Sequence, residues 1–294
     1  MAQEINTPIY NLANQIVARF ENTNSDFYKL AKKLIAQGTI QRGIQWDRSN
    51  TSMKSPHIYK GSIYVQEIFL CHLWIICYYG LVIYEEAIAK HYANTYEGGS
   101  YIINKELISR CEDFLEYTIS LYYGYVEWDI DKFPSPIHSD ISGKDYHLKA
   151  NQLFLYAINY ILCHEFAHAE LGHTGEGKPE KENEADKRAY ELMLDGCNGD
   201  NNMGIKMGIL MALCSLLMIT PSPCKNGTHP VVYNRIKTYL EFLNPEETSQ
   251  LWSVACLFLG VWSMRYNKDY LFPDEVSTHK EMFYKVIDEI EASN

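Results

Sequence analysis

The sequence is short of positive charge. Lys and Arg together number 26 against 37 Asp and Glu in 294 residues, which gives a formal net charge of −11 at pH 7. Binding to nucleic acid or to an anionic membrane needs dense Lys and Arg, and the sequence has no basic stripe with interleaved aromatic residues. We therefore expect no nucleic-acid partner.

The sequence also lacks an apolar run typical of a membrane span, which takes about 20 residues. Ile68–Tyr84 contains His72 and is bordered by glutamates, and Met207–Ile219 is too short. We predict that both are buried core helices and that the chain has no membrane span. The start of the chain has no basic segment followed by a long apolar one, so we expect no signal peptide and a cytoplasmic location.

None of the eight cysteines lies in a CxxC pair, and their spacing is not that of a compact disulfide framework. Scattered thiols of this kind are typical of reduced, mostly buried side chains in a cytoplasmic protein. A fold held together by disulfides is therefore not expected.

The length suits one large domain or two small ones, and the composition, with 47% hydrophobic and 21% charged residues, is that of a globular protein. Periodicity, caps and glycines predict helices over most of the chain, and alternation predicts a strand at Tyr125–Asp131. The predicted helices lie at 9–37 (two, broken near 22–25), 62–92, 104–122, 151–173, 179–195, 203–219, 230–243 and 245–266. We expect a helix-dominated α+β fold, with an N-terminal helical region at 1–60 and a second domain at 61–294, or one domain overall.

The segment Cys163–His173 contains three of the ten histidines of the chain. His164, Glu165 and His168 form an HExxH motif on the long helix predicted at 151–173. Side chains at i and i+4 share one helix face, so both imidazoles can reach one ion, and zinc accepts neutral histidine nitrogens. Glu165 then lies beside the ion and can take a proton from water. The alternative is a helix with two histidines that only pack.

A catalytic zinc site needs a third protein ligand and an open position. Glu182 and Asp186 are i and i+4 on the next predicted helix, where one carboxylate can bind zinc while the other accepts the far N–H of a ligating histidine. Spacing alone also allows Glu184 as the ligand. His173 is another candidate, but it follows His168 by five residues rather than six, so we interpret it as a structural neighbour. The alternative for this helix is a charged, solvated face.

HExxH followed by ExxxD resembles the gluzincin metallopeptidases. The resemblance implies a zincin-like core with a small sheet and an HExxH active-site helix, Glu182 as the third zinc ligand and Asp186 as the residue that orients a histidine. His229–Arg235 (HPVVYNR) is similar to the HPxxxxR element of the CAAX-protease/HtpX branch, in which a histidine also commonly follows HExxH, as His173 does here. This similarity implies that His229 donates a hydrogen bond to the developing oxyanion and that Arg235 holds that loop through a carboxylate.

The CAAX-protease/HtpX branch is built in the membrane, whereas this chain has no convincing span. Its size, its character and the position of HExxH resemble the phage-exclusion peptidase Lit family. That resemblance implies a cytoplasmic zinc endopeptidase that cleaves elongation factor Tu. An extended peptide substrate usually lies along an edge strand, for which Tyr125–Asp131 is the candidate, although an ordinary solvated edge strand is an equal alternative.

Two other functions are compatible with the sequence. One is a regulatory protease of the ImmA type that cleaves a repressor, which a fused DNA-binding domain would favour. The other is a binding module that zinc only stabilises, which a fourth protein ligand closing the site would favour. Cys163 is the nearest thiol, but it points away from the face that carries His164 and His168.

Overall fold

The computed structural model describes residues 4–91, 102–139, 141, 143–173, 178–195, 202–221, 230–270, 272–273 and 275–293. Ten α-helices lie within these ranges: α1 Ala13–Glu21, α2 Ser25–Ala36, α3 Glu67–Ile83, α4 Lys105–Leu121, α5 Tyr146–Glu170, α6 Pro179–Leu194, α7 Met203–Met218, α8 Val232–Leu243, α9 Gln250–Arg265 and α10 His279–Ala292. Three strands accompany them: β1 Ile44–Asp47, β2 His57–Tyr59 and β3 Ser62–Gln66. The expected helix-dominated α+β fold is confirmed.

The sheet is small and mixed, in the order β1-β3-β2. The central strand β3 runs parallel to β1 and antiparallel to β2, with Ile58 opposite Ile63. Two residues of positive φ, Lys60 (49°) and Gly61 (78°), join β2 to β3. Two positive φ angles give the turn that suits the right-handed twist of a hairpin. The outer edge of β2 pairs with no other described strand, and the strand contacts α5.

The predicted strand at Tyr125–Asp131 is wrong, because the described residues of this segment belong to no sheet. Trp128 is 4% exposed, and its ring lies 5.6 Å from that of Trp74 and 5.1 Å from that of Phe114. Val126 and Ile130 are about half exposed. The alternation therefore reflects one buried indole in an aromatic cluster, and the segment is not an edge strand for a substrate.

Helices α3, α5 and α7 form the centre of the molecule. Helices α3 and α7 are apolar almost all round, and so is α5 from Leu153 to Leu162, as expected for helices that run through a core, and their buried side chains belong to one cluster with those of the outer helices. Gly208 of α7 lets this helix approach α5 closely, because a Cβ atom there would lie 2.3 Å from the Cβ of Tyr156. This packing fixes the long helix α5 in place.

Two further predictions concern burial. Glu67–Ala89, which includes α3, is long and apolar enough to cross a membrane by length and composition, but 89% of its most apolar window is buried inside the fold. A core helix meets the same criterion, so the absence of a membrane span stays a prediction. The six described cysteines are buried and form no disulfide.

The division at residue 60 also stays a prediction. It falls between β2 and β3, which pair with each other. Helix α1 of the first part packs against α5 of the second.

Candidate metal centre

Two neighbouring helices bring three potential metal ligands together. Helix α5 supplies His164 and His168 one turn apart, and α6 supplies Glu182. The Nε2 atoms of the two histidines are 3.1 Å apart. Oε2 of Glu182 lies 3.4 Å from Nε2 of His164, and Oε1 of the same carboxylate lies 3.5 Å from Nε2 of His168. Among the described residues, these three side chains form the cluster of potential metal ligands that lies close enough together to hold an ion.

The spacing of these atoms fits zinc. Bonds of about 2.0–2.1 Å in a tetrahedral site place neighbouring ligand atoms about 3.3 Å apart, close to the 3.1 Å between the two imidazole nitrogens and to the 3.4 and 3.5 Å from these nitrogens to the two oxygens of Glu182. Glu182 is 6% exposed although its helix is rich in charge. This carboxylate therefore faces the histidines. The alternative, in which the charged residues of this helix are only solvated, does not hold for Glu182.

The alternative ligands lie outside this trio. Glu184 is two residues from Glu182 and has a side chain that is 66% exposed. It lies 3.0 Å from Nε2 of His173, whose Nδ1 is 3.1 Å from Nδ1 of His168. The structure thus places Glu182 beside both HExxH histidines, and places His173 behind one of them.

Asp186 lies one turn after Glu182 and contacts His164 from behind. Its Oδ1 is 2.8 Å from Nδ1 of His164. Tyr160 donates to the same oxygen at 2.7 Å, and Arg235 of α8 donates to both carboxylate oxygens. The carboxylate is therefore fixed from three sides, and it can hold the His164 ring.

The pKa values of this cluster follow from burial and charge. Burial opposes the ionisation of Asp186, yet Arg235 and His164 hold the pKa of this carboxyl below its usual value. Burial would lower the pKa of His164, but hydrogen bonds to Asp186 and Glu182 raise it to about 9. Burial and the charge of His164 lower the pKa of His168 to about 4. His164 thus has to give up a proton when its Nε2 binds a cation.

Glu165 is a buried carboxyl between α5 and the sheet. It is 9% exposed, and burial raises its pKa to about 7, while the backbone N–H of Ile58 in β2 acts in the opposite direction. A group with a pKa near neutrality can both accept and return a proton at physiological pH. The structure therefore places a suitable acid–base group beside the histidines.

The remaining predicted residues differ in what the structure shows of them. His229 lies outside the described residues, so its proposed role stays a prediction. Arg235 does bind a carboxylate, that of Asp186, as described above. Tyr160 and Ile58 were not predicted. Tyr160 precedes His164 by four residues on α5, so helical spacing alone could have suggested its position beside the site. No local signal pointed to Ile58.

The comparisons with known proteins agree with a hydrolytic site. The family model of Peptidase U49 matches residues 63–255, about two thirds of the chain, which include the whole ligand trio. No curated protein and no solved structure matched. The chain therefore belongs to the Peptidase U49 family and is a protease, a hydrolase that acts on peptide bonds.

Proposed function

We propose that the protein is a zinc-dependent endopeptidase in which His164, His168 and Glu182 hold the metal. The observation that carries the proposal is the convergence of two imidazole nitrogens, 3.1 Å apart, with a carboxylate whose two oxygens lie 3.4 and 3.5 Å from them, a donor set of the kind that zinc takes in catalytic sites. When bound, zinc supplies a Lewis acid that activates water and polarises the scissile carbonyl. Family membership supports the hydrolytic reaction, and the metal is our addition.

The residues of the chain supply proton transfer and orientation. Glu165 accepts a proton from the attacking water and passes it to the leaving amine, for which its near-neutral pKa is suited. Asp186 holds the His164 ring through Nδ1, and Arg235 and Tyr160 hold Asp186. Such hydrogen bonds fix the tautomer of a ligating histidine and orient its ring. His229 as the donor to the oxyanion stays part of the proposal.

The substrate is proposed to lie along β2 instead of along Tyr125–Asp131. Within the described sheet β2 is an edge strand, and its residue Ile58 faces Glu165. An extended peptide that adds to a free strand edge gains main-chain hydrogen bonds. A peptide at this edge would therefore pass next to the base.

A cytoplasmic protein is the proposed substrate, and elongation factor Tu in phage defence is the specific candidate, supported by the resemblance to the Lit family. No observation favours a repressor substrate of the ImmA type. A purely structural zinc site would need a fourth protein ligand. Cys163, the nearest thiol in the sequence, is buried and lies 3.8 Å from the hydroxyl of Thr23.

The test compares wild type, Glu165→Gln and His164→Ala. Zinc content is measured by mass spectrometry of metals, and cleavage is measured on purified elongation factor Tu and on a mixed-sequence peptide library. We expect wild type to bind about one zinc and to cleave, Glu165→Gln to bind zinc without cleaving, and His164→Ala to lose both. A wild type that holds no zinc would overturn the assignment of zinc to this site. Cleavage by Glu165→Gln overturns the base, and cleavage of the library alone overturns the named substrate.

A further inference from the structure

The two HExxH histidines contact different side chains through the Nδ1 atoms of their rings. His164 has the buried carboxylate of Asp186 at its Nδ1, whereas His168 has a third histidine, His173, at the same position. We propose that His173, itself oriented by Glu184, is the positioning residue for His168. The inference rests on the proposed zinc site, but it does not depend on which peptide bond is cleaved.

The proton positions along the row of contacts from His168 through His173 to Glu184 follow from the protonation state that a metal ligand needs. Nε2 of His168 faces His164 and Glu182, so it has to be unprotonated when it binds a cation, and the single proton of the ring then lies on Nδ1. That N–H donates to Nδ1 of His173, 3.1 Å away. His173 therefore carries its own proton on Nε2, which donates to Glu184 at 3.0 Å. One tautomer of each ring satisfies all three contacts.

The end of α5 explains how His173 comes to lie there. The helix stops at Glu170, and Gly172 takes a φ of +66°, a conformation that L side chains rarely adopt. The N–H of His173 then donates to the carbonyl of His168 at 2.9 Å. A bond from this position back across the last turn is typical of a glycine-terminated helix. The turn folds His173 back over His168, so a separation of five residues yields a supporting contact.

The two supports differ in exposure. The side chain of His173 is 8% exposed, while that of Glu184 is 66% exposed. Asp186 and Arg235, which support His164, are both buried. A contact to an exposed carboxylate is weakened by water and salt. We therefore expect His173 to contribute more to zinc affinity than Glu184, and the contribution of Glu184 to fall as the salt concentration rises.

The experiment measures the dissociation constant of zinc by competition with a chromophoric chelator. Loss of an outer hydrogen-bond partner typically weakens metal binding by about 10–100-fold, which is the loss expected for His173→Ala. In His173→Asn the side-chain oxygen can accept the His168 N–H in place of Nδ1, so affinity should be restored to within about threefold of wild type. Glu184→Ala should weaken binding less than His173→Ala, while Glu180→Ala, an exposed glutamate on the same helix, should leave it unchanged.

A second readout separates positioning from simple loss of structure. In each cobalt-loaded variant, the visible absorption spectrum should change for His173→Ala and return to the wild-type spectrum for His173→Asn. Unchanged zinc affinity in His173→Ala, or an Asn variant as weak as Ala, overturns the inference while the zinc peptidase stands. A wild type that binds no zinc overturns the proposed function itself.

Discussion

The guanidinium of Arg235 binds the carboxylate of Asp186 through two hydrogen bonds, from Nε at 2.8 Å and from a terminal nitrogen at 2.6 Å. Both side chains are less than one tenth exposed. The pair joins α8 to α6 directly behind His164, so it links the stability of the fold to the geometry of the metal centre.

Replacement of Arg235 should lower the free energy of unfolding substantially. Arg235→Met leaves the Asp186 carboxylate buried without its cation, and breaking a buried pair in this way typically costs about 3–5 kcal/mol of unfolding free energy. The measurement is urea unfolding at pH 7. Arg188→Met is the matched control, because Arg188 also binds a glutamate, Glu170, through two hydrogen bonds but is 30% exposed. That variant should lose about 1 kcal/mol or less. Equal losses would contradict the assigned importance of burial.

The buried Glu165 should make stability depend on pH in the metal-free protein. Its pKa is raised from 4.5 to about 7 in the folded state. The folded state therefore keeps the proton more tightly, so the contribution of Glu165 to stability is fully present below pH 4.5 and is lost as the pH rises through 7. A shift of this size corresponds to about 3 kcal/mol.

The variant Glu165→Gln cannot ionise at this position. With a chelator present, its unfolding free energy relative to that of wild type should therefore rise by about 2.5 kcal/mol between pH 5 and pH 8. Denaturant midpoints at several pH values measure this difference. Glu180→Gln, at an exposed position, should show no such trend. A constant difference between Glu165→Gln and wild type would show that folding does not raise the pKa of Glu165.

The surroundings of two helical glycines predict opposite effects for their substitution by alanine. Gly208→Ala forces Tyr156 and the neighbouring backbone apart, and overpacking of this kind costs about 1–3 kcal/mol. Gly260 lies inside α9 with its nearest neighbour at 3.5 Å, so Gly260→Ala should stabilise the protein by up to about 1 kcal/mol through helix propensity. Thermal unfolding of both variants tests this, and a stabilised Gly208→Ala would contradict the packing.

Whether the segment after α4, Tyr125–Asp131, is a strand can be tested directly. Trp128→Ala removes a buried indole from the aromatic cluster and should cost about 3–5 kcal/mol. Val126→Ala, at a half-exposed position, should change stability by about 0.5 kcal/mol or less. In a strand these two side chains would share one face, so similar losses in urea unfolding would favour the strand.

Helical spacing explains why so much of the candidate site was predictable. His164 and His168, like Glu182 and Asp186, are separated by four residues, and a helix places such pairs on one face whatever surrounds it. The caps and glycines that end the helices are local signals too: at the start of α2 the side chain of Asn24 accepts the backbone N–H of Phe27. Helix α10 was not predicted, although its buried residues Phe283, Val286, Ile287 and Ile290 follow the helical spacing.

The strand prediction failed because alternation of side chains is a local pattern, whereas a strand also needs a partner. Tyr125–Asp131 has the alternation but pairs with no described strand, while the three residues of β2 form a strand because β3 follows after a tight turn. The contact of Ile58 with Glu165 depends on that pairing and on the packing of β2 against α5.

The sequence by itself determined the HExxH and ExxxD faces, most of the helices and the acidic, helix-rich character of the chain, because these properties depend on residue type and on separations of a few positions. Only the tertiary structure decided that Glu182 rather than Glu184 lies beside the histidines, and that Arg235 and Tyr160 converge on Asp186. Those contacts join residues from separate helices. Their distances are set by how the apolar faces of α5, α6 and α8 pack, which no local pattern specifies.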